Sequence, residues 1–227
     1  MCGRFTENAE PAEIGKEFEV KISDEELFKP RYNIAPSQTV TAVLETKGER
    51  RVSGLRWGLI PSWAKDDSIG NKLINARGET LAEKPSFKNA FKSRRCLIPA
   101  SGFYEWAKKG AGSGAKQPFY FFLKEKAVFG LAGLYEEWLD KESGELLETC
   151  TIITTAANEV LDPIHDRMPV ILKAENYDLW LDEKEKNTDR LQDLLIPYPA
   201  NEMSSYAVSK AVNSPVYDSP ELIKKSE

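Results

Sequence analysis

Two strand-like runs separated by a lysine-glycine turn limit the possible folds of this chain more than its other sequence features do. Residues 40–44 and 51–57 are rich in apolar and β-branched side chains, and Lys47-Gly48 lies between the two runs. A turn between two such runs predicts a pair of antiparallel strands. A fold that contains this hairpin needs further strands to cover its apolar face.

Other runs predict those strands and a few short helices. Residues 119–123 and 127–134 predict a second pair of strands, and residues 148–155, rich in Thr and Ile, predict one more. Short helices are predicted at residues 8–18, 176–181 and 188–195. Strands dominate the middle of the chain, so we expect an α+β fold with a curved, barrel-like, mainly antiparallel sheet decorated by short helices.

The chain length suits one large domain or two small ones. It has 227 residues, and its only glycine-rich stretch, residues 110–114, predicts a flexible loop between strands that is too short to separate domains. We therefore expect a single domain over residues 1–227.

The charge of the chain excludes a general attraction for nucleic acid. The net charge is -5 at pH 7, so a polyanion would have to be held by a local patch. Residues 86–126 contain nine basic and two acidic side chains, whereas residues 173–193 contain seven acidic and four basic ones. We expect a polyanion on the face formed by the first of these regions.

The cysteine and histidine content indicates the compartment and argues against a metal. Three cysteines without a CxxC pair, and a single histidine, make a poor disulfide framework and a poor zinc site. No apolar run has the length of a membrane span and the chain does not begin with an apolar signal region. We expect a soluble cytoplasmic protein, nucleoid-associated in a bacterium, with no metal, cofactor or membrane partner.

The first residues of the chain can carry an unusual nucleophile. If Met1 is removed, Cys2 presents an α-amine and a thiol on adjacent carbons. The amine is partly neutral near pH 7 and can form an imine with an aldehyde, and the thiol can close on that imine as a thiazolidine. The thiol needs a base or a positive neighbour to be a good nucleophile, and Arg4 could supply the charge. The alternative is that a cysteine at the second position is incidental.

Two further stretches carry groups that suit DNA. Trp63 lies in a loop broken by glycine and proline, where an exposed tryptophan could stack on an unpaired base; alternatively Trp57 and Trp63 both cap the core, which is more expected of Trp57. Asn75 and Arg77 would share one face of an extended segment, and the arginine fork matches a phosphate.

The Asn75 segment has its own alternative, and two other residues suit proton transfer. Glu79 would share the face of Arg77 and could simply pair with it. Glu105, between two aromatic residues, is expected to be partly desolvated and to act as a general acid or base, unless it pairs with an arginine. His165 lies in a proline-flanked loop beside Asp166 and Arg167, where it could move a proton next to a bound phosphate, although a lone histidine is often structural.

Six stretches, in this order along the chain, resemble the SOS response-associated peptidase (SRAP) family, the abasic-site shielding proteins. They are MCGRF, RYNIAP, WGLIPSW, INAR, GFYEW and HDRMP, at residues 1–5, 31–36, 57–63, 74–77, 102–106 and 165–169. The resemblance implies a single α+β domain with a barrel-like core. It also implies a monomer that binds single-stranded DNA containing an abasic site, crosslinks to it and acts in DNA repair.

The resemblance also implies roles for individual residues. Cys2 would be the nucleophile, Asn75 would orient it, and Glu105 and His165 would transfer protons. The DNA contacts would be Arg4, Asn33, Pro36, Trp63, Arg77 and Arg167. The chain departs from the family pattern at Ala64, where some members have a second aromatic residue, and in the tail at residues 214–215 and 218–219.

Three functions remain open at this stage. The first is crosslinking, in which His165 or Glu105 assists opening of the sugar ring, the Cys2 amine attacks C1′ and the thiolate closes the ring. The second is a cysteine peptidase or N-terminal-nucleophile hydrolase, which could remove Met1 from its own chain. The third is a binder of single strands that forms no covalent bond.

Overall fold

The predicted hairpin is present and contains the predicted turn. In the computed structural model, which describes residues 2–22, 28–107 and 116–226, strands Thr39–Thr46 and Glu49–Trp57 pair antiparallel with Val43 opposite Val52. Lys47 and Gly48 connect them with φ of 56° and 81°. Two consecutive residues in the left-handed region form the tight turn whose twist matches that of paired strands. The loop predicted at residues 110–114 lies outside the described residues.

The described strands are numbered in chain order as follows: β1 Phe5–Glu7, β2 Arg31–Ile34, β3 Thr39–Thr46, β4 Glu49–Trp57, β5 Asn75–Arg77, β6 Arg95–Ala100, β7 Gly102–Trp106, β8 Pro118–Leu123, β9 Phe129–Leu139, β10 Leu146–Ala156, β11 Arg167–Pro169, β12 Ile171–Leu172 and β13 Met203–Ala207. The α-helices are α1 Pro11–Phe18, α2 Lys88–Ser93, α3 Tyr177–Leu181 and α4 Thr188–Gln192. Short 3-10 helices include Asp67–Lys72, Gly78–Thr80 and Lys210–Asn213.

Five strands close into a barrel. β3 pairs with β4 and β6, β6 pairs with β9, β9 pairs with β10, and β10 returns to β4. The β10–β4 pair is parallel and the other four are antiparallel. β5 adds to β10 in parallel. The barrel-like, mainly antiparallel core expected from the sequence is confirmed.

A second sheet lies against the barrel, and it contains one strand that was expected to pair with a strand of the barrel. Its order is β13-β8-β7-β1-β2. The strands predicted at residues 119–123 and 127–134 both form, as β8 and β9, but the prediction that they pair with each other was wrong. Successive residues Gly130–Leu134 of β9 are all buried, so this strand needs cover on both faces and enters the barrel. β8 stays in the second sheet, where Phe121 stacks on Phe103 at 5.3 Å.

The start of the chain is part of the hydrophobic core. Cys2 and Phe5 belong to the same buried cluster as Trp57 of the barrel, and the rings of Phe5 and Trp57 meet edge to face at 5.3 Å. This cluster joins the barrel to the second sheet, as expected of one α+β domain. The predicted helices appear as α1, α3 and α4 on a second cluster outside the barrel. Within the described residues, every helix is too short or too polar to cross a bilayer.

Candidate active site and nucleic-acid interface

Cys2 occupies a buried position three residues before the start of β1. Its side chain has 0% exposure, and its Sγ lies 3.9 Å from the Arg4 carbonyl oxygen. Burial raises the pKa of the thiol well above its ordinary value, and the charge of Glu105 raises it further. The thiol is therefore protonated at neutral pH and needs a base before it can attack.

Asn75 holds Cys2 from the barrel side. β5 pairs in parallel with β10, with Asn75 opposite Ile152, and this pairing fixes where the Asn75 side chain leaves the sheet. Its Nδ2 donates to the Cys2 carbonyl oxygen at 2.8 Å. The structure thus brings Asn75 onto the residue that it was expected to orient.

Glu105 approaches Cys2 from the second sheet. Phe103 of β7 pairs with Phe5 of β1, and the Tyr104 amide donates to the Arg4 carbonyl at 3.0 Å. The same register, continued by one residue, brings Glu105 alongside the segment that carries Cys2. The Glu105 side chain is 2% exposed, and its charge acts on the Cys2 thiol. A buried carboxylate next to a buried thiol is a pair suited to proton transfer.

His165 lies in the loop between β10 and β11. The loop is anchored by Ile164, which packs on the hydrophobic cluster that contains Cys2. The Nδ1 atom of His165 accepts a hydrogen bond from the Arg167 amide at 3.0 Å and lies 3.1 Å from Asp166 Oδ1. When Nδ1 accepts from Arg167, a neutral imidazole carries its proton on Nε2.

Arg77 and Arg167, the two arginines expected to bind phosphate, differ in the contacts that their guanidinium groups make. Both guanidinium nitrogens Nη1 and Nη2 of Arg167 bond to the carboxylate of Glu79, and Nη2 also donates to the Thr154 carbonyl at 2.6 Å. Arg77 is exposed, and its guanidinium makes no hydrogen bond or ion pair within the described part of the chain. The structure therefore pairs Glu79 with Arg167, not with Arg77.

Arg4 and Asn33 hold the C-terminal segment. Arg4 Nη1 donates to Asn33 Oδ1 at 2.8 Å and to the Val212 carbonyl at 2.7 Å. Asn33 is 1% exposed, and its Nδ2 donates to the carbonyls of Ser214 and Tyr217. The Arg4 guanidinium thus points to the tail, and it does not supply the positive charge near the thiol that the sequence suggested. The DNA contacts expected of Arg4, Asn33 and the half-buried Pro36 stay predictions.

The two tryptophans of the stretch WGLIPSW, residues 57–63, have different surroundings. Trp57 is fully buried and its Nε1 donates to the Ile74 carbonyl at 2.8 Å, so it caps the core. Trp63 is 58% exposed. Its loop is fixed by Trp138, whose Nε1 donates to the Ala64 carbonyl at 2.9 Å.

A glycine fixes the entrance to the same loop. Gly58 has φ of 138°, and a Cβ there would lie 2.7 Å from the Gly70 carbonyl oxygen. Only glycine allows this conformation and this close approach of two backbones.

An open, partly basic cavity lies beside Asn75 and Arg77. It has a volume of about 330 Å³, and its walls include Lys72, Lys84 and Phe87. Within the described residues, three or more His, Cys, Asp or Glu side chains do not come together as metal ligands.

Sequence reasoning missed two features of the site. The first is the pairing of Glu79 with Arg167, which are 88 positions apart. The second is the hold of Arg4 and Asn33 on the tail. Opposite charge favoured a pair between Glu79 and Arg167, but several other acidic side chains could have paired with the same arginine. The main-chain carbonyls that Arg4 and Asn33 bind leave no trace in the sequence.

Comparison with known proteins places the chain in a family. The sequence model described as "SOS response associated peptidase (SRAP)" matches residues 1–215. The abasic site processing protein YoqW of Bacillus subtilis (strain 168) is 50% identical over 225 residues, which cover 99% of both chains. The abasic site processing protein HMCES of Gallus gallus is 33% identical and matches 86% of this chain and 66% of its own length.

Solved structures share the fold. A Bacteroides thetaiotaomicron protein superimposes with a TM-score of 0.89 at 28% identity over 100% of both chains. A Bordetella bronchiseptica protein has a TM-score of 0.76 at 26% identity and covers 92% of this chain and 100% of its own. The family match over nearly the whole length, together with these relatives, shows that the chain belongs to the SOS response-associated peptidase family.

Proposed function

We propose that this protein binds single-stranded DNA at abasic sites and shields the lesion by a covalent thiazolidine bond to Cys2, once Met1 has been removed. The observation that carries the proposal is the placement of Cys2, which is buried between the Asn75 amide and the Glu105 carboxylate. Relatives that are called abasic site processing proteins, at up to 50% identity, support it.

The chemistry uses both groups of the N-terminal residue. The Cys2 α-amine adds to C1′ of the ring-opened sugar and forms a carbinolamine, which loses one water to give an imine. The thiol then adds across the C=N bond, so that sulfur bonds to C1′ and the thiol proton goes to nitrogen. The net change is the loss of one water, and no oxidant or cofactor is required.

The neighbours of Cys2 suit the proton transfers of this sequence. Because burial keeps the thiol protonated, a base must accept its proton as sulfur attacks, and the Glu105 carboxylate is placed to do so. Asn75 holds the Cys2 carbonyl and so fixes the main chain from which both nucleophiles extend. His165 or Glu105 assists opening of the sugar ring, since only the open form has an aldehyde.

Exposed groups around the site suit a single strand of DNA. Arg77 has its guanidinium available for a phosphate, and Trp63 offers an exposed ring to an unstacked base. A paired abasic site in a duplex would first have to be unstacked, at a cost of a few kcal/mol. We therefore expect the protein to act on single-stranded DNA and, as the family resemblance implies, as a monomer. Contact between DNA and Arg167 would require the guanidinium to be shared with Glu79.

Denaturing electrophoresis after incubation with an abasic single-stranded oligonucleotide tests the proposal. The wild-type protein should form a complex that survives denaturant, and Cys2→Ala should form none. Cys150→Ala is the matched control, because Cys150 is equally buried but lies in β10, and it should crosslink as the wild type does. A crosslink at wild-type yield with Cys2→Ala would remove the thiol from the mechanism.

The Cys2 amine is free only after Met1 has been removed. Whether the protein removes Met1 itself or another enzyme does so tests the peptidase alternative. If the protein removes its own Met1 with the help of Glu105, intact-mass measurement of Glu105→Gln should show Met1 retained. Full processing of that variant would assign removal to another enzyme. Sustained turnover of an added peptide, with no stable DNA adduct, would favour the hydrolase and contradict the crosslinker.

A further inference from the structure

We propose that Glu79 is a positioning residue that, through Arg167, holds the imidazole of His165 in the orientation needed at the site. This inference rests on the proposed crosslinking function and adds to it a residue to which that function gave no role. It is carried by an unbroken series of contacts from Glu79 to the imidazole ring.

The first contact is a fork-to-fork ion pair. Both oxygens of Glu79 accept hydrogen bonds from Arg167, one from Nη1 and one from Nη2 at 2.9 Å. These bonds hold the pKa of the Glu79 carboxyl below its usual range, so the carboxylate is charged at neutral pH. Two parallel bonds fix the plane of the guanidinium as well as its distance.

The second contact ties Arg167 to the barrel. Nη2 also donates to the Thr154 carbonyl of β10 at 2.6 Å, and the Arg167 side chain is only 12% exposed. Glu79 itself lies in the turn directly after β5, two residues beyond Arg77. The ion pair therefore joins the first residue of β11, which follows the His165 loop, to the turn after β5, and both strands pair with β10.

The third contact reaches the imidazole. The main-chain N–H of Arg167 donates to His165 Nδ1 at 3.0 Å, while Asp166 Oδ1 lies 3.1 Å from the same nitrogen. These two neighbours favour different protonation states of Nδ1. A hydrogen bond from the Arg167 N–H requires an Nδ1 without a proton, whereas a hydrogen bond to the Asp166 carboxylate requires a protonated Nδ1. Arg167 is the first residue of β11 and pairs with Ala156 of β10, and the Glu79 ion pair holds its side chain. Together these contacts favour the bare Nδ1 and leave the proton of a neutral ring on Nε2.

A purely structural ion pair predicts a different outcome. Glu79 is 51% exposed but Arg167 is 12% exposed, so the ion pair is partly buried and its loss destabilises the fold. An ion pair with a structural role alone would lower the thermal unfolding temperature when the Glu79 carboxylate is removed, and the protein that remains folded would crosslink at the wild-type rate. If the residue is a positioning residue, the same change should disturb the imidazole and slow the reaction.

The kinetic test compares Glu79→Ala and Glu79→Asp with Glu83→Gln. Glu83 is an exposed carboxylate one turn further along the chain, so its variant is the matched control. At saturating abasic single-stranded DNA we expect Glu79→Ala to crosslink roughly tenfold to a hundredfold more slowly, Glu79→Asp to recover part of the rate, and Glu83→Gln to match the wild type. In an Arg167→Gln background, Glu79→Ala should cause no further loss.

A spectroscopic test does not depend on the DNA reaction. His165 is the only histidine of the chain, so a ¹⁵N spectrum of imidazole-labelled protein reports this ring alone. The wild type should show the Nε2–H tautomer, and Glu79→Ala should show a gain of the Nδ1–H form. A slower reaction with an unchanged imidazole spectrum would overturn the proposal.

The outcomes separate this inference from the proposed function. If the wild-type protein forms no crosslink, the proposed function fails. If the wild type crosslinks but Glu79→Ala reacts at the wild-type rate, only the role of Glu79 fails.

Discussion

The two halves of the site are built differently. One half, consisting of Cys2, Asn75 and Glu105, is held by strand pairing, and its two reactive side chains are at most 2% exposed. The other half, consisting of the Trp63 loop and the His165 loop, lies outside the strands and is held by side-chain contacts, and Trp63 is 58% exposed. We infer that strand register fixes the Cys2 and Glu105 side chains, whereas the exposed Trp63 adjusts to the DNA.

Fixing reactive groups in a sheet has an energetic consequence. Burial there raises the pKa of the Cys2 thiol and favours its neutral form, and the packing of the core must offset the cost of burying polar groups. The exposed Trp63 ring of the loop half carries no charge and has no such cost. We therefore expect variants of the strand half to change stability and rate, variants at His165 to change the rate, and variants at Trp63 to change the affinity for DNA.

The largest expected effect concerns the cost of burying a carboxyl in the second sheet. Glu7 of β1 is 4% exposed, and burial raises its pKa from 4.5 to about 8 despite a hydrogen bond with Thr41 and the charge of Arg31. The folded state therefore keeps a proton that the unfolded chain releases near pH 4.5. The resulting stabilisation is complete below pH 4.5, declines as the pH rises toward 8 and is lost above it.

Glu7→Gln measures this cost. The variant cannot ionise, so its free energy of unfolding relative to wild type should rise by as much as about 4 kcal/mol between pH 4.5 and pH 8.5. Urea unfolding at the two pH values gives the difference. Equal pH dependence in the two proteins would show that Glu7 is not the group that titrates.

Next in size is the loss of the Asn75 amide. Asn75→Ala removes the hydrogen bond to the buried Cys2 carbonyl, a loss of about 1 to 3 kcal/mol. We expect single-turnover crosslinking to slow about tenfold to a hundredfold, with little change in DNA affinity. Asn71→Ala, which removes an exposed amide in the neighbouring 3-10 helix, should react normally. A large loss of affinity with an unchanged rate would move Asn75 to the DNA-binding half.

The exposed tryptophan should show the opposite behaviour. Trp63→Ala should weaken binding to an abasic analogue that cannot crosslink by about 1 to 3 kcal/mol and leave the rate at saturation unchanged. Fluorescence anisotropy measures the first and quenched-flow gels the second. Ile196→Ala, another exposed apolar side chain, is the control. Unchanged affinity would exclude stacking on Trp63.

The smallest effect is expected at Arg77. If its guanidinium binds one phosphate of a single strand, Arg77→Gln should lower the slope of log K against log salt by about 0.7. Arg190→Gln, a change to another exposed arginine that is paired with Glu185, should leave the slope unchanged. The same slope in all three proteins would argue that Arg77 does not contact DNA.

Local signals in the sequence predicted where strands occur better than they predicted which strands pair with each other. The Lys47-Gly48 turn fixed a hairpin because both strands and the turn are adjacent in the chain. Nothing in residues 119–134 said that two successive strands would join different sheets, because that choice depends on which faces the rest of the chain covers. The barrel was predictable in class, but its closure through a parallel β10–β4 pair was not.

The site followed the same division. Cys2, Asn75, Glu105 and His165 carry distinctive chemistry in loops or at strand ends, so residue type and family resemblance were enough to predict them as candidates. The partners of Asn33 could not be found in this way, because its amide bonds to main-chain carbonyls up to 184 residues away. Backbone carbonyls are the same in every sequence, so such contacts become visible only in the folded chain.

Mass analysis of the adduct with abasic single-stranded DNA decides whether the amine and the thiol of Cys2 react together. The account predicts a product equal to the Met1-less protein plus DNA minus one water, attached at Cys2 and stable without borohydride. An adduct on a lysine, or one that is recovered only after borohydride reduction, would show a simple imine and contradict the claim that a strand-held amine and thiol of one residue act together.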